Sequence, residues 1–148
     1  MDKITIISGT NRAGSRTMQV ARQYQLFLQN MESRLRRDAS LLSLEGIDLN
    51  KRTPQFEQAE KELIIPAQKF IFILPEYNGS LSGASKQFMD MSTIRECWWN
   101  KKALLTGIAD GRSGQMRGME HFTGVLNYLK MLVHHNTLPI SVISKVMN

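Results

Sequence analysis

The chain has 148 residues, a formal net charge of +6, 42% hydrophobic residues and one cysteine. These numbers exclude a disordered chain and an internal disulfide bond, and no stretch approaches the roughly 20 apolar residues of a membrane helix. We therefore expect one globular domain over residues 1–148, in the cytoplasm and away from membranes, whose basic charge permits an anionic partner.

The first thirty residues predict a strand, a polar loop and a helix. Residues 4–7 (Ile-Thr-Ile-Ile) are β-branched and have the length of a strand. Residues 8–17 are small, polar and flexible, and residues 18–31 repeat apolar side chains at helical spacing. This order is the opening half of a βαβ unit.

The middle of the chain repeats the pattern. Residues 34–38 form a charged connection, and residues 41–44 predict a weaker second strand. A helix is expected over residues 56–68, with Pro66 ending or kinking it. A strand is predicted over residues 69–74, because residues 70–74 are continuously apolar, which indicates burial on both faces, as in a parallel sheet.

The remaining elements complete an alternating α/β order. Helices are predicted over residues 82–96 and 115–134, and strands over residues 102–108 and 139–143. Alternation of this kind predicts a three-layer α/β sandwich with a five-stranded parallel sheet. The flavodoxin-like strand order 2-1-3-4-5 fits this length, with helices on both faces.

Three polar, glycine-containing loops follow strands 1, 3 and 4. They span residues 9–17, 75–80 and 107–114. Ligands of such sheets bind at the carboxyl ends of the strands, beside the switch point between strands 1 and 3. We expect a ligand site there, although strand-to-helix turns are rich in Gly, Ser and Asn for structural reasons as well.

The first loop starts like a nucleotide-binding motif and then departs from it. Ser15 stands where a P-loop has lysine, and Asn11 stands where the dinucleotide fingerprint has glycine. What remains is a hydroxyl-rich loop that leads into a helix. Such a loop favours phosphate binding, and it is equally typical of a capped helix start with Ser15 as the N-cap. The candidate phosphate ligands are Thr10, Asn11, Arg12, Ser15, Arg16 and Thr17.

The second loop, Pro-Glu-Tyr-Asn-Gly-Ser, offers no nucleophile–base pair. Its Tyr77 ring and Asn78 amide suit a flat heteroaromatic ligand, which needs a stacking face and hydrogen bonds at its edge. The same residues are also compatible with an ordinary turn.

Together these motifs resemble those of the NADPH-dependent FMN reductases. Residues 8–15 resemble the family's GSxRxxS phosphate loop, and residues 75–80 its PEYN-G flavin loop. The family's G-x-x-K-x-x-x-D helix and third loop are matched by Gly83, Lys86 and Asp90, and by residues 111–114 with Arg117 and Gly118. The resemblance covers nearly the whole chain, in the family's order.

The resemblance implies an enzyme that binds FMN non-covalently and passes a hydride from NADPH or NADH through FMN to a quinone, azo, metal-oxyanion or free-flavin acceptor. It implies no catalytic side chain, because the flavin performs the chemistry. The alternative is a non-enzymatic FMN electron carrier or redox-responsive interaction module, which the basic charge disfavours. By position, the phosphate ligands would be Thr10, Arg12, Ser15, Arg16 and Thr17. The isoalloxazine would lie against Pro75, Glu76, Tyr77, Asn78 and Gly79, with Gly111, Arg112, Ser113 and Gly114 on its other side.

Two departures from the family concern assembly. Only residues 144–148 follow the predicted fifth strand, where the family adds a final helix, so a partner subunit or a natural shortening would account for an uncovered strand face. Ser85 and Met91 differ from the family on the helix associated with dimer contacts. We expect a homodimer or homotetramer.

The other notable residues predict no site. His134 and His135 would point about 100° apart on a helix, and no acidic or cysteine cluster accompanies them or His121, so we expect no metal. Cys97 is expected to be a buried or interfacial thiol. The Arg-Leu-Arg-Arg stretch at residues 34–37 is expected to be a solvated connection, with no nucleic acid bound.

Overall fold

The protein folds around a parallel sheet, seen in a computed structural model that describes residues 2–32 and 36–147. The predicted connection at Arg34 therefore lies partly outside the described residues. The strands are β1 Ile4–Ser8, β2 Ala39–Ser43, β3 Lys69–Pro75, β4 Lys102–Ile108, β5 Leu132–Val133 and β6 Leu138–Ile140. The helices are α1 Arg16–Asn30, α2 Pro54–Ala59, α3 Gly83–Met91, α4 Ile94–Trp98, α5 Met116–Tyr128 and α6 Ile143–Val146. Within the described ranges, no helix is long and apolar enough to cross a membrane.

The strand order β2-β1-β3-β4-β5 confirms the predicted parallel topology. The central strand β3 is buried from its second residue onwards, as its continuous apolar sequence predicts. On one face Phe72 meets Phe122 with ring centroids 4.9 Å apart, and Phe70 meets Trp98 at 5.1 Å. The other face holds a smaller core under α1, built around Ile6, Val20, Ala21, Ile71 and Ile73.

Helix α1 begins at Arg16, and the side chain of the preceding Ser15 caps its N-terminus. The Ser15 hydroxyl accepts the Met18 N–H at 3.1 Å, which confirms Ser15 as the N-cap. Val20 is buried beneath the helix, and the Tyr24 hydroxyl shares a 2.7 Å hydrogen bond with the Thr106 hydroxyl of β4. The cap therefore fixes the point at which the loop after β1 becomes a helix.

The prediction of a single helix over residues 82–96 is wrong, because α3 and α4 are separate helices. Ser92 adopts an extended conformation, and its hydroxyl donates to the Met89 carbonyl while accepting the Trp98 indole N–H at 2.6 Å. The Thr93 N–H donates to the carboxylate of Glu60. These polar contacts replace helical hydrogen bonds and break the helix. The helix predicted over residues 56–68 also differs in the structure. Helix α2 is followed by a π-helical segment, Glu60–Ile64, which ends before Pro66.

The helix predicted over residues 115–134 ends early, at Tyr128. Lys130 has a left-handed backbone with φ of +57°, which stops the helix. Leu132 then lies on strand β5 and is 63% exposed, instead of lining an apolar helix face. The placement of His134 and His135 on a helix is therefore wrong: they follow β5, and their rings stack with centroids 4.6 Å apart.

The structure also differs from the prediction at the fifth strand, because two short strands share its place in the sheet. Strand β5 pairs with the start of β4, and β6 pairs with its end, so six strands replace the five expected. Pro139 lies within β6 at the sheet edge, where its missing N–H is tolerated. Ile143 begins the four-residue α6 and packs in the core under α1, so one helical turn follows the sheet.

Candidate functional site

The loops after β1, β3 and β4 line one cleft at the carboxyl ends of these strands, as the topology predicts. The cleft has a volume of about 300 Å³. Its walls bring together seven of the predicted residues: Arg12, Ser15, Arg16, Thr17, Pro75, Glu76 and Tyr77. Thr10, Asn11, Asn78, Gly79 and residues 111–114 lie on the same three loops but outside the walls of this cleft.

A tyrosine joins the first loop to the second. The hydroxyl groups of Thr10 and Tyr77 share a hydrogen bond of 2.7 Å, and Thr10 is buried. The Arg12 guanidinium carbon lies 4.0 Å from the centroid of the Tyr77 ring, a cation–π contact. The aromatic ring predicted to stack on a ligand is therefore held by two residues of the predicted phosphate loop.

The first loop carries backbone donors that have no acceptor. Among the described residues, the N–H groups of Asn11, Ala13 and Gly14 have no hydrogen-bond partner. Gly14 has a φ of +61°, which turns the chain toward the N-terminus of α1. Successive free N–H groups ahead of a helix form a concave donor surface for an anion.

The second loop is a tight turn with two further unused donors. The N–H groups of Tyr77 and Ser80 donate to each other's carbonyls at 2.9 and 3.1 Å. Between them, Asn78 and Gly79 have φ of +53° and +74°, the positive pair that a two-residue turn requires. Their own N–H groups have no partner in the described part of the chain, so they are available to acceptor atoms of a ligand.

The third loop contributes an acidic side chain that the sequence prediction missed. Asp110 lines the cleft, accepts the Ser144 N–H at 2.9 Å and pairs with Arg16 at 3.5 Å. Hydrogen bonding from Ser144, aided by the charge of Arg16, lowers the pKa of Asp110 below its ordinary value. Its position in the loop two residues after the end of β4 is the available signal. Ile143 also lines the cleft, and nothing marked it because it fell in the predicted fifth strand.

The buried thiol of Cys97 plays no part in this cleft. Its sulfur lies 3.3 Å from the Glu60 carboxylate, and burial together with that carboxylate raises the pKa of the thiol far above its ordinary value. Such a thiol is neutral and unreactive. In the described ranges, no cluster of three or more His, Cys, Asp or Glu could hold a metal ion.

Comparison with known proteins agrees with this geometry. The chain is 26% identical over 134 residues to 2-hydroxy-1,4-benzoquinone reductase of a Burkholderia species, covering 88% of this chain and 73% of that protein. Its fold is similar to an oxidoreductase of Corynebacterium diphtheriae, with a TM-score of 0.80 at 16% identity, covering 96% of this chain and 82% of the other. It is also similar to a flavodoxin of Fusobacterium nucleatum bound to flavin mononucleotide, with a TM-score of 0.60 at 15% identity, covering 95% and 77%.

The strand order and these structural neighbours establish a flavodoxin-like fold. The sequence pattern of one family, described as NADPH-dependent FMN reductase, matches residues 3–143. The chain therefore belongs to the NADPH-dependent FMN reductase family of oxidoreductases, whose cofactor is FMN.

Proposed function

We propose that the cleft between the three loops holds FMN and that the enzyme reduces a small quinone with electrons from NADPH or NADH. The observation that carries this proposal is the pair of donor-rich loops, which present unpaired N–H groups beside one cleft. A phosphorylated flavin needs both an anion site and hydrogen bonds at the edge of its ring. The residues present fit that requirement.

The first loop supplies the phosphate site in this proposal. Free N–H groups and the positive end of α1 attract the phosphate, and the charged side chains add to that attraction. Ser15 keeps its hydroxyl on the Met18 N–H, so it helps chiefly by holding the helix start in place. The proposed phosphate ligands are Thr10, Arg12, Ser15, Arg16 and Thr17.

The second and third loops position the ring system. The N–H groups of Asn78 and Gly79 donate to ring acceptors, and Tyr77 offers an aromatic face. Ser113 donates to the Glu76 carboxylate at 3.3 Å, which ties the third loop to the second. When bound, FMN supplies the hydride chemistry, so these residues orient the ring and limit water access. The proposed ring contacts are Pro75, Glu76, Tyr77, Asn78, Gly79, Gly111, Arg112, Ser113 and Gly114.

The choice of a quinone as acceptor is supported by the relative named as a benzoquinone reductase. Azo compounds, metal oxyanions and free flavin are the other acceptors to compare, because an exposed flavin face selects its acceptor by access more than by specific contacts. We place the reaction in the cytoplasm, where NADH and NADPH are produced.

Arg12→Ala is expected to weaken FMN binding about tenfold, because it removes one charge near the phosphate and one contact on Tyr77. Flavin fluorescence quenching measures the dissociation constant. Arg22→Ala is the matched control, since Arg22 is exposed on α1 and should leave binding unchanged. Equal affinity of the Arg12 variant and the unaltered protein would contradict the phosphate assignment.

The reductase activity is tested on the FMN-loaded protein without oxygen. NADPH or NADH should bleach the visible flavin band, and a benzoquinone should restore it. A protein that holds FMN but is bleached by neither nucleotide would be a carrier and would contradict the proposed reaction.

We also propose that the protein forms a homodimer through the surface of α3, α4 and α5. A groove of about 520 Å³ lies there, lined chiefly by apolar side chains, with Ile94 43% and Tyr128 85% exposed. Tyr128→Glu should shift the mass measured by sedimentation from dimer to monomer, because it places a charge in an apolar contact. Leu26→Glu, on the exposed side of α1, is the matched control and should leave the mass unchanged.

A further inference from the structure

Gln115 is a fully buried polar residue outside the set assigned to the cofactor. It directly precedes α5 and has a left-handed backbone with φ of +73° and ψ of +22°. Its side chain makes no capping hydrogen bond to the helix. A glutamine in this conformation is strained, and such strain persists where surrounding contacts enforce it.

The contacts that enforce it run to both ends of the second loop. The Gln115 side-chain nitrogen donates to the carbonyl of Pro75 at 2.5 Å and to the carbonyl of Ser80 at 2.8 Å. One amide nitrogen thereby uses both of its hydrogens on the first and last residues of the loop. The Gln115 side-chain oxygen is buried and has no hydrogen-bond partner in the described part of the chain. The polar contacts of this side chain there are therefore the two hydrogen bonds that its nitrogen donates.

Two glycines leave the space that this side chain fills. A Cβ on Gly118 would lie 2.5 Å from the Gln115 side-chain oxygen, and a Cβ on Gly107 would lie 2.8 Å from the Gln115 Cβ. Real Cβ atoms do not approach so closely, so the side chain occupies its position only because both residues lack one. The surrounding backbone is thus matched to a glutamine here.

We infer that Gln115 is a positioning residue that fixes the Pro75–Ser80 turn in its ligand-binding shape before any ligand arrives. By tying both ends of the turn to the residue that precedes α5, it keeps the free N–H groups of Asn78 and Gly79 in place. A preorganised loop loses less conformational entropy on binding, so it binds its ligand more tightly. The inference rests on the proposed function as far as FMN is the ligand, but the preorganisation itself is measurable without FMN.

The experiment compares three variants of the full chain. Gln115→Glu keeps the size and replaces both donors by an oxygen, and Gln115→Met keeps the approximate volume without polar atoms. Gln115→Gly removes the side chain and relieves the left-handed backbone, so it carries the least backbone strain of the three variants. Gln23→Glu makes the same chemical change on the exposed side of α1 and serves as control.

The first measurement is hydrogen exchange in the protein without FMN. The amides of Tyr77 and Ser80, which hold the turn, should exchange at least about tenfold faster in Gln115→Gly, with exchange in the core strands unchanged. The second is FMN binding, which should weaken about tenfold or more in all three variants and stay unchanged in Gln23→Glu.

The outcomes separate positioning from packing. If Gln115→Gly protects the turn amides and binds FMN as the unaltered protein does, the side chain only fills space and the inference is wrong. If the unaltered protein binds no FMN while its turn amides still depend on Gln115, the proposed cofactor site fails and the preorganised turn stands.

Discussion

Gly9→Ala is expected to destabilise the protein by about 2–3 kcal/mol and to abolish FMN binding. A Cβ on Gly9 would lie 2.7 Å from the carbonyl oxygen of Ile73 and 2.8 Å from the hydroxyl of Ser85. Neither neighbour can move freely, because the Gly9 N–H donates to that Ile73 oxygen and the Ser85 hydroxyl donates to the Gly9 carbonyl. The loop carrying the proposed phosphate site must then shift away from β3.

Urea unfolding measures the loss of stability, and flavin titration measures the loss of binding. Gly83→Ala is the matched control: nothing lies within 4 Å of its added Cβ, and the residue opens α3. We expect the control to retain full stability or to gain up to about 1 kcal/mol, because alanine favours a helix over glycine. A Gly9 variant as stable as this control would contradict the tight contact between the first loop and β3.

Glu60→Gln is expected to lower the free energy of unfolding by about 3 kcal/mol at neutral pH. The Glu60 carboxylate is 5% exposed and pairs with Arg52 at 2.6 Å. It also accepts hydrogen bonds from Thr93, the N-cap of α4, and from Cys97 within α4. An amide in its place leaves Arg52 with only the more distant carboxylate of Glu57, at 3.7 Å, and turns a donor toward other donors.

The same substitution has a predictable pH dependence. Burial alone would raise the pKa of Glu60, but hydrogen bonds from Arg52, Thr93 and Cys97 outweigh it and lower the pKa below its ordinary 4.5. A lowered pKa stabilises the folded protein fully above the unfolded value, and this contribution is lost as the pH falls through the folded value. The stability difference between protein and variant should therefore shrink as the pH falls below the ordinary pKa of 4.5 and through the lower folded pKa. An unchanged difference at low pH would show that the charge of Glu60 is not what stabilises α4.

A strand could be predicted from the sequence where its own residues form a continuous apolar run. The apolar run of β4 matches the predicted residues 102–108, and alternation of strands and helices was enough for the sheet order. The break between α3 and α4 could not be predicted, because it depends on Glu60, 33 residues away along the chain. The split of the fifth strand likewise depends on how its two halves pair with β4, which local composition does not encode.

The candidate site was predictable where topology and motif coincide. Tyr77 and Arg12 lie on loops that parallel strands bring to one edge, so their proximity follows from the strand order. In the sequence, Gln115 stands at the start of a predicted helix, where nothing distinguishes it from an ordinary helix residue. Its role depends on a contact with Pro75, 40 residues earlier, and on the space left by glycines at two other positions.

The division of the outer edge of the sheet into β5 and β6 also bears on solubility. A long unbroken edge strand would offer a continuous row of unpaired backbone groups on which other chains could add and aggregate. Here the edge consists of pieces of two and three residues, and Pro139 in the second piece has no N–H to offer. An incoming strand finds no continuous template along this side, so the interrupted pairing that shortens the sheet also protects it from growing.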